Sequence, residues 1–139
     1  MTDALTATDI QAMLDSSPFI KFCAVECLSV DNEKLQLVMR QAMRPEMERS
    51  PGSGQWHGGP IAALIDTAGD FALVLAVNAS VPTINFRTDY LRPAVNTALT
   101  ATATVRRAGR TVGVVDIDIT DDQGRLLAVG RGTYATRAG

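Results

Sequence analysis

The sequence predicts an α+β fold in which an antiparallel sheet of five to six strands covers one long central helix. Three observations carry this reading. Trp56 to Val77 is an apolar run with helical spacing, Thr83 to Thr136 alternates with period two between short turns, and a shorter pair of strand-like segments precedes the helix. A helix that is apolar nearly all round must be covered, and the strands are the layer available to cover it.

Composition sets the outer limits. With 139 residues, 46% of them hydrophobic and 20% charged, the chain suits one domain spanning residues 1–139, built on a single core. The net charge of −2 argues against a general nucleic-acid partner, and Arg106, Arg107 and Arg110 form only a local basic cluster. Met1 to Thr6 has neither a basic nor an apolar leader region, so a cytoplasmic protein is expected. Two cysteines and one histidine leave a zinc short of a ligand, so neither metal nor cofactor is expected.

Taken in order, Thr8-Asp9 followed by Ile10, Met13 and Leu14 predicts a short capped helix within an N-terminal extension of residues 1–19. It would cover an edge or end of the main fold. Phe22–Val30 and Lys34–Arg40 read as two strands joined at Asp31-Asn32-Glu33. On the first of these, Cys23 and Cys27 would share a face roughly 13 Å apart, too far for a disulfide. Gln41 to Gln55, with Pro45, Pro51, Gly52, Ser53 and Gly54, reads as a long loop bordering a pocket.

The central helix is expected to start at Gly59 or Pro60, because proline suits the first helical turn. Ile61, Leu64, Ile65, Ala68, Phe71 or Ala72, and Leu75 recur at helical spacing. Asp66, Thr67 and Asp70 interrupt a run barely long enough to span a bilayer, which excludes a membrane helix. After the break at Asn78 to Pro82, strands are expected at Thr83–Leu91, Thr97–Arg107, Arg110–Thr120 and Arg125–Thr136. In the third of these, Val115, Ile117 and Ile119 alternate with Asp116, Asp118 and Thr120, giving one buried and one wetter face.

Asp66 is the residue that asks for a function. It is an ionisable side chain in a helix otherwise built for burial, and its bland role would be to face solvent or pair with an arginine. Just upstream, Gly58 and Gly59 let another group approach backbone N–H donors at the positive end of the helix dipole. Such an end stabilises an oxyanion, and a carboxylate along the same helix supplies the other half of a hydrolytic site. Burial among Leu64, Ile65 and Phe71 would raise the Asp66 pKa, whereas the helix dipole would lower it.

His57-Gly58-Gly59, then six residues and Asp66, followed by Thr83 to Ala94 with its Asp89-Tyr90-Leu91-Arg92-Pro93 strand end, resembles the hotdog-fold acyl-CoA thioesterases of the phenylacetic-acid-degradation type. Gly109-Arg110 and Gly130 to Tyr134 also fit, so the resemblance covers roughly residues 20–136. It implies a hotdog domain that hydrolyses an aryl- or medium-chain acyl-CoA and assembles as a homodimer or homotetramer, with each site shared between the Gly58 donors of one subunit and Asp66 of the other. It also implies Asp66 as general base or nucleophile, Gly58 or Gly59 as oxyanion donor, and Thr83 as the hydroxyl that holds the attacking water.

Three positions depart from the pattern or leave it open. Asp70 stands where relatives carry a hydroxyl residue, and reads as an auxiliary base or the partner of an arginine. Pro51 stands seven residues before Gly58, where relatives carry an orienting Asn or Gln, leaving Ser50, Ser53 or Gln55 as substitutes. His57 reads as a turn former with a hydrogen-bonded ring more readily than as a base. Arg92, Arg106, Arg107 and Arg110 are candidates for the CoA phosphates, since guanidinium groups recognise phosphate well.

Two competing functions are a hotdog hydratase or dehydratase and a non-catalytic acyl-CoA-binding protein. Gly-Gly directly after His57 disfavours the first, and Asp66 would be unnecessary to the second.

Overall fold

The computed structural model describes residues 3–137. Helix α1 (Ala7–Ser16) is closed by a capping box, in which the Thr6 hydroxyl accepts the Asp9 N–H at 3.2 Å and the Asp9 carboxylate accepts the Thr6 N–H at 2.8 Å. The helix therefore begins upstream of the expected Thr8-Asp9 start, with Asp9 serving from inside the first turn.

A second helix, α2 (Pro18–Cys23), occupies the start of the expected first strand. Pro18 presets a helical φ, and Ala24 ends the helix in the left-handed region at φ 56°. The Arg44 guanidinium then donates to the Phe22 carbonyl and lies over the Phe22 ring, 4.8 Å from its centre. These contacts, made by a residue distant in sequence, favour a helix over the strand that the apolar run suggested. Cys23 consequently ends a helix and is buried, while Cys27 lies on the next strand, so the two do not share a strand face.

Strands β1 (Glu26–Asp31) and β2 (Gln36–Gln41) form the expected hairpin, and the Asp31 carboxylate accepts the N–H groups of Glu33 and Lys34 across its turn. The connection 42–57 is tied down along its length. It holds a 3-10 turn at Pro45–Met47, buries Met47 and Trp56, and bridges Glu48 to Trp56 and Gln55 to Val95. The Trp56 indole donates to the Thr97 carbonyl at 2.8 Å, which fixes where the chain enters the central helix.

Helix α3 (Gly58–Val77) is 20 residues long and starts one residue before the expected Gly59. His57 is the reason, because its ring Nδ1 accepts the Gly59 N–H at 3.3 Å and so acts as the cap. The other end closes at Asn78, in the left-handed region at φ 51°, whose N–H returns to the Val74 carbonyl.

Strands β3 (Thr83–Tyr90), β4 (Leu99–Ala108), β5 (Val112–Thr120) and β6 (Leu126–Ala135) complete one antiparallel sheet of six strands. The strand order is β1-β2-β4-β5-β6-β3. The sheet wraps α3, whose Ile61, Leu64, Ile65, Ala68, Ala72 and Leu73 are buried together with Ala101, Ala103, Val115, Ile117 and Ile119. Although α3 has the length and composition of a membrane span, this covering makes it the core helix of the fold. Small residues let helix and sheet approach closely, and Gly69 is the tightest case: a Cβ there would collide with the hydroxyl of the fully buried Tyr134. β3 is an edge strand, and Ile84, Tyr90 and the adjoining Leu91 are exposed along it.

Candidate active site

Three elements place the Asp66 carboxylate. It lies on α3 at the level where β3 begins, and the Thr83 hydroxyl donates to its Oδ1 at 2.8 Å. From beneath, the Tyr134 hydroxyl on β6 donates to the Asp66 main-chain carbonyl at 3.1 Å. Burial, followed by the negative charges of Asp66 and Asp70, pushes the Tyr134 phenol well above its ordinary pKa, so it remains a donor. Carboxylate, helix and strand are thus fixed to one another. A carboxylate with one oxygen engaged by a hydroxyl keeps its other oxygen free to accept a proton.

Asp70 lies one helical turn further on and lines the same cavity as Asp66. Burial, and then the neighbouring charge of Asp66, push its carboxyl up to about 7. Among the described residues no cation lies within ion-pair distance of Asp70, so the sheet's arginines do not serve it. The cavity has a volume of about 600 Å³ and lies between α3, the two N-terminal helices and residues 78–80.

The second half of the candidate site is at the helix start. His57 holds the Gly59 N–H, whereas among the described residues no acceptor takes the N–H of Gly58. The two glycines are thereby distinguished: Gly58 is the free donor and Gly59 is capped. Because Nδ1 accepts, the imidazole in this arrangement carries its proton on Nε2, which makes it a capping group. The Tyr90 hydroxyl donates to the Gly58 carbonyl at 2.6 Å, and a Cβ on Gly58 would press on the Tyr90 ring at 3.2–3.3 Å. Glycine is needed here for close approach. Gly58, Gln55, Arg49 and Arg92 border a common groove, so of the substitutes for the residue missing at Pro51 it is Gln55 that lies beside the donor.

The four arginines do not gather in one place. Arg92 sits at the helix start, while Arg106, Arg107 and Arg110 lie at the β4–β5 hairpin, where the adjoining Gly113 packs against Leu73 near the other end of α3. Arg106 reaches Asp116 at 3.5 Å, and Arg131 grips the same carboxylate at 2.6 and 2.9 Å, holding it below the ordinary carboxylate range. Sequence reasoning did not assign roles to Tyr134, Tyr90 or Arg49. The signal for Tyr134 was present in Gly132 on its own strand and Gly69 on the helix, two glycines that clear space for one large ring.

The sequence pattern of the thioesterase superfamily matches residues 53–128, which include both glycines, Asp66, Asp70 and Thr83. The chain belongs to this superfamily. The acyl-coenzyme A thioesterase PaaI of Escherichia coli is 35% identical over 125 residues, covering 87% of this chain and 84% of that protein. The medium/long-chain acyl-CoA thioesterase YigI of the same species is 27% identical over 132 residues, covering 84% of each chain. Among solved structures, E. coli PaaI from the phenylacetic acid degradation operon superposes with a TM-score of 0.82 and 28% identity, covering 95% of this chain and 93% of that one. Zebrafish thioesterase superfamily member 2 superposes at 0.83 with 25% identity, covering 96% and 99%. As a thioesterase superfamily member with the hotdog fold, the chain is a thioester hydrolase by family, which accords with a carboxylate held beside a cavity.

Proposed function

We propose that the chain hydrolyses an aryl- or medium-chain acyl-CoA to the free acid and CoA, with Asp66 as general base. The observation that carries this is the Asp66 carboxylate, fixed by Thr83 and open to a largely apolar cavity, in a thioesterase superfamily chain. In the proposed step, the free carboxylate oxygen takes a proton from a water that the Thr83 hydroxyl also holds through a lone pair. The water oxygen bonds to the thioester carbon, and the carbonyl electrons move to its oxygen, where a Gly58 N–H receives the charge. As the carbonyl re-forms, the C–S bond breaks and the thiolate takes the proton from Asp66, giving acid and thiol.

Gly58 and Asp66 of one chain do not meet on the same carbonyl, because eight residues of helix separate them by ~12 Å along the axis. A second copy resolves this. Thr83 at one end of β3 holds Asp66, and Tyr90 at the other end holds Gly58. Antiparallel pairing of two β3 edges about a two-fold axis would set Thr83 of one strand opposite Tyr90 of the other, bringing each Asp66 toward the partner's Gly58. The unpaired edge and the exposed Ile84, Tyr90 and Leu91 support such a homodimer. A tetramer built from two such dimers, a cytoplasmic location, and binding of the CoA phosphates by Arg92 with Arg106, Arg107 or Arg110 belong to the same reading.

Free-thiol release from a panel of acyl-CoAs tests the proposal. Asp66→Asn keeps size and shape, and is expected to cut turnover at least about a hundredfold while the fold survives. Near wild-type turnover would remove Asp66 from the mechanism. A wild-type protein that binds acyl-CoA without releasing thiol would be the non-catalytic binder instead.

A further inference from the structure

The N-terminal helices are more than an edge cover. Below Asp66 the cavity continues along α3, where its floor is Phe71 and Val74, and its opposite wall is Met13 of α1 with Phe19 and Ile20 of α2. Asp66 and Val74 are eight residues apart, so this stretch runs ~12 Å along the helix axis. That is the length scale of a medium-chain acyl group. Met13, Ile20 and Phe71 are half-buried and pack against the core, whereas Phe19 is 58% exposed on the rim. The wall also has a fixed anchor, since the Arg44 guanidinium holds the carbonyl of Phe22 and its ring, and so sets the position of α2.

Resting on the thioesterase reading above, we propose that α1 and α2 form the selectivity wall of the acyl pocket, with Met13 and Ile20 setting the length of chain accepted. The occupant follows from continuity with the carboxylate. A thioester carbon within reach of Asp66 has its CoA arm directed toward the β3 edge and the partner's helix start, which leaves the acyl chain the cavity inside the subunit that supplies Asp66. Its walls are largely apolar and match a hydrocarbon tail. Ser80, on the loop after α3, also lines the cavity, and it is exposed and outside the core.

The test is a chain-length profile of kcat/KM from butyryl-CoA to tetradecanoyl-CoA. Ile20→Ala removes part of the wall and should move the preferred length upward. Ser80→Trp puts bulk into the cavity from a solvent-facing position and should lower the ratio of dodecanoyl-CoA to butyryl-CoA hydrolysis at least about tenfold, the scale on which a pocket discriminates by size. A general loss of stability would lower all rates together and leave that ratio unchanged. If folded Ile20→Ala keeps the wild-type chain-length profile, the wall assignment is overturned; if folded Ser80→Trp keeps the wild-type ratio, the acyl chain does not occupy this cavity and the assignment is overturned as well. If wild type hydrolyses no acyl-CoA in the series, the underlying thioesterase reading fails and the assignment fails with it.

Discussion

At the scale of single residues, the two acids on α3 differ in what surrounds them. Asp66 has a hydroxyl donor at 2.8 Å, while Asp70 has burial and a neighbouring negative charge, which raise its carboxyl from 3.8 to about 7. The sign of the consequence for stability is fixed by that direction. Below pH 3.8 both folded and unfolded chains hold the proton, and Asp70 costs nothing. Between there and about 7 the unfolded chain releases it while the native protein retains it, so stability falls as pH rises, and above about 7 the full cost is present. Asp70→Asn is therefore expected to stabilise the protein at pH 8 by up to a few kcal/mol, with the gain fading toward pH 4. Urea denaturation of both proteins at the two pH values measures this. A gain that does not change with pH would show that Asp70 titrates normally.

At the scale of elements, α3 is positioned by the spaces cleared around it. Tyr134 reaches the Asp66 carbonyl only because Gly69 and Gly132 leave room for its ring. Gly69→Ala favours the helix by intrinsic propensity, about 1 kcal/mol in an open setting. Here overpacking against a fully buried ring opposes it, at a cost of about 1–3 kcal/mol. A lowered denaturation midpoint with an unchanged slope is expected, and a raised midpoint would mean that Tyr134 moves aside freely. The element most legible in the sequence was α3, because Pro60 and an apolar run marked it without tertiary context, and the strands from Thr83 onward followed from their alternation. What misled was Pro18–Cys23, too short for a helical period to show and fixed by Arg44, a residue 22 positions beyond Phe22. The cap was likewise hidden, since whether Gly58 or Gly59 keeps a free N–H depends on the direction of the His57 ring.

At the scale of the whole molecule, the site is proposed to exist only in the dimer. The sequence places donor and carboxylate on one helix, and no pattern of residues shows that Tyr90 and Thr83, at opposite ends of an edge strand, hold them. The direct measurement is complementation between two inactive variants. Asp66→Asn lacks the carboxylate. Gly58→Pro lacks the donor; the ψ of 151° at His57 suits a following proline at the first helical position, and the exposed Tyr90 side chain must shift by a few tenths of an ångström to admit the new Cβ. Each variant is first shown to fold and dimerise, and each alone should be nearly inactive. Unfolded together in equal amounts and refolded, about half the dimers are mixed, and each mixed dimer holds one intact site of two, so about a quarter of wild-type activity should return if assembly is random. Verified mixed dimers that stay inactive would place the donor and the carboxylate in the same chain and contradict the shared site.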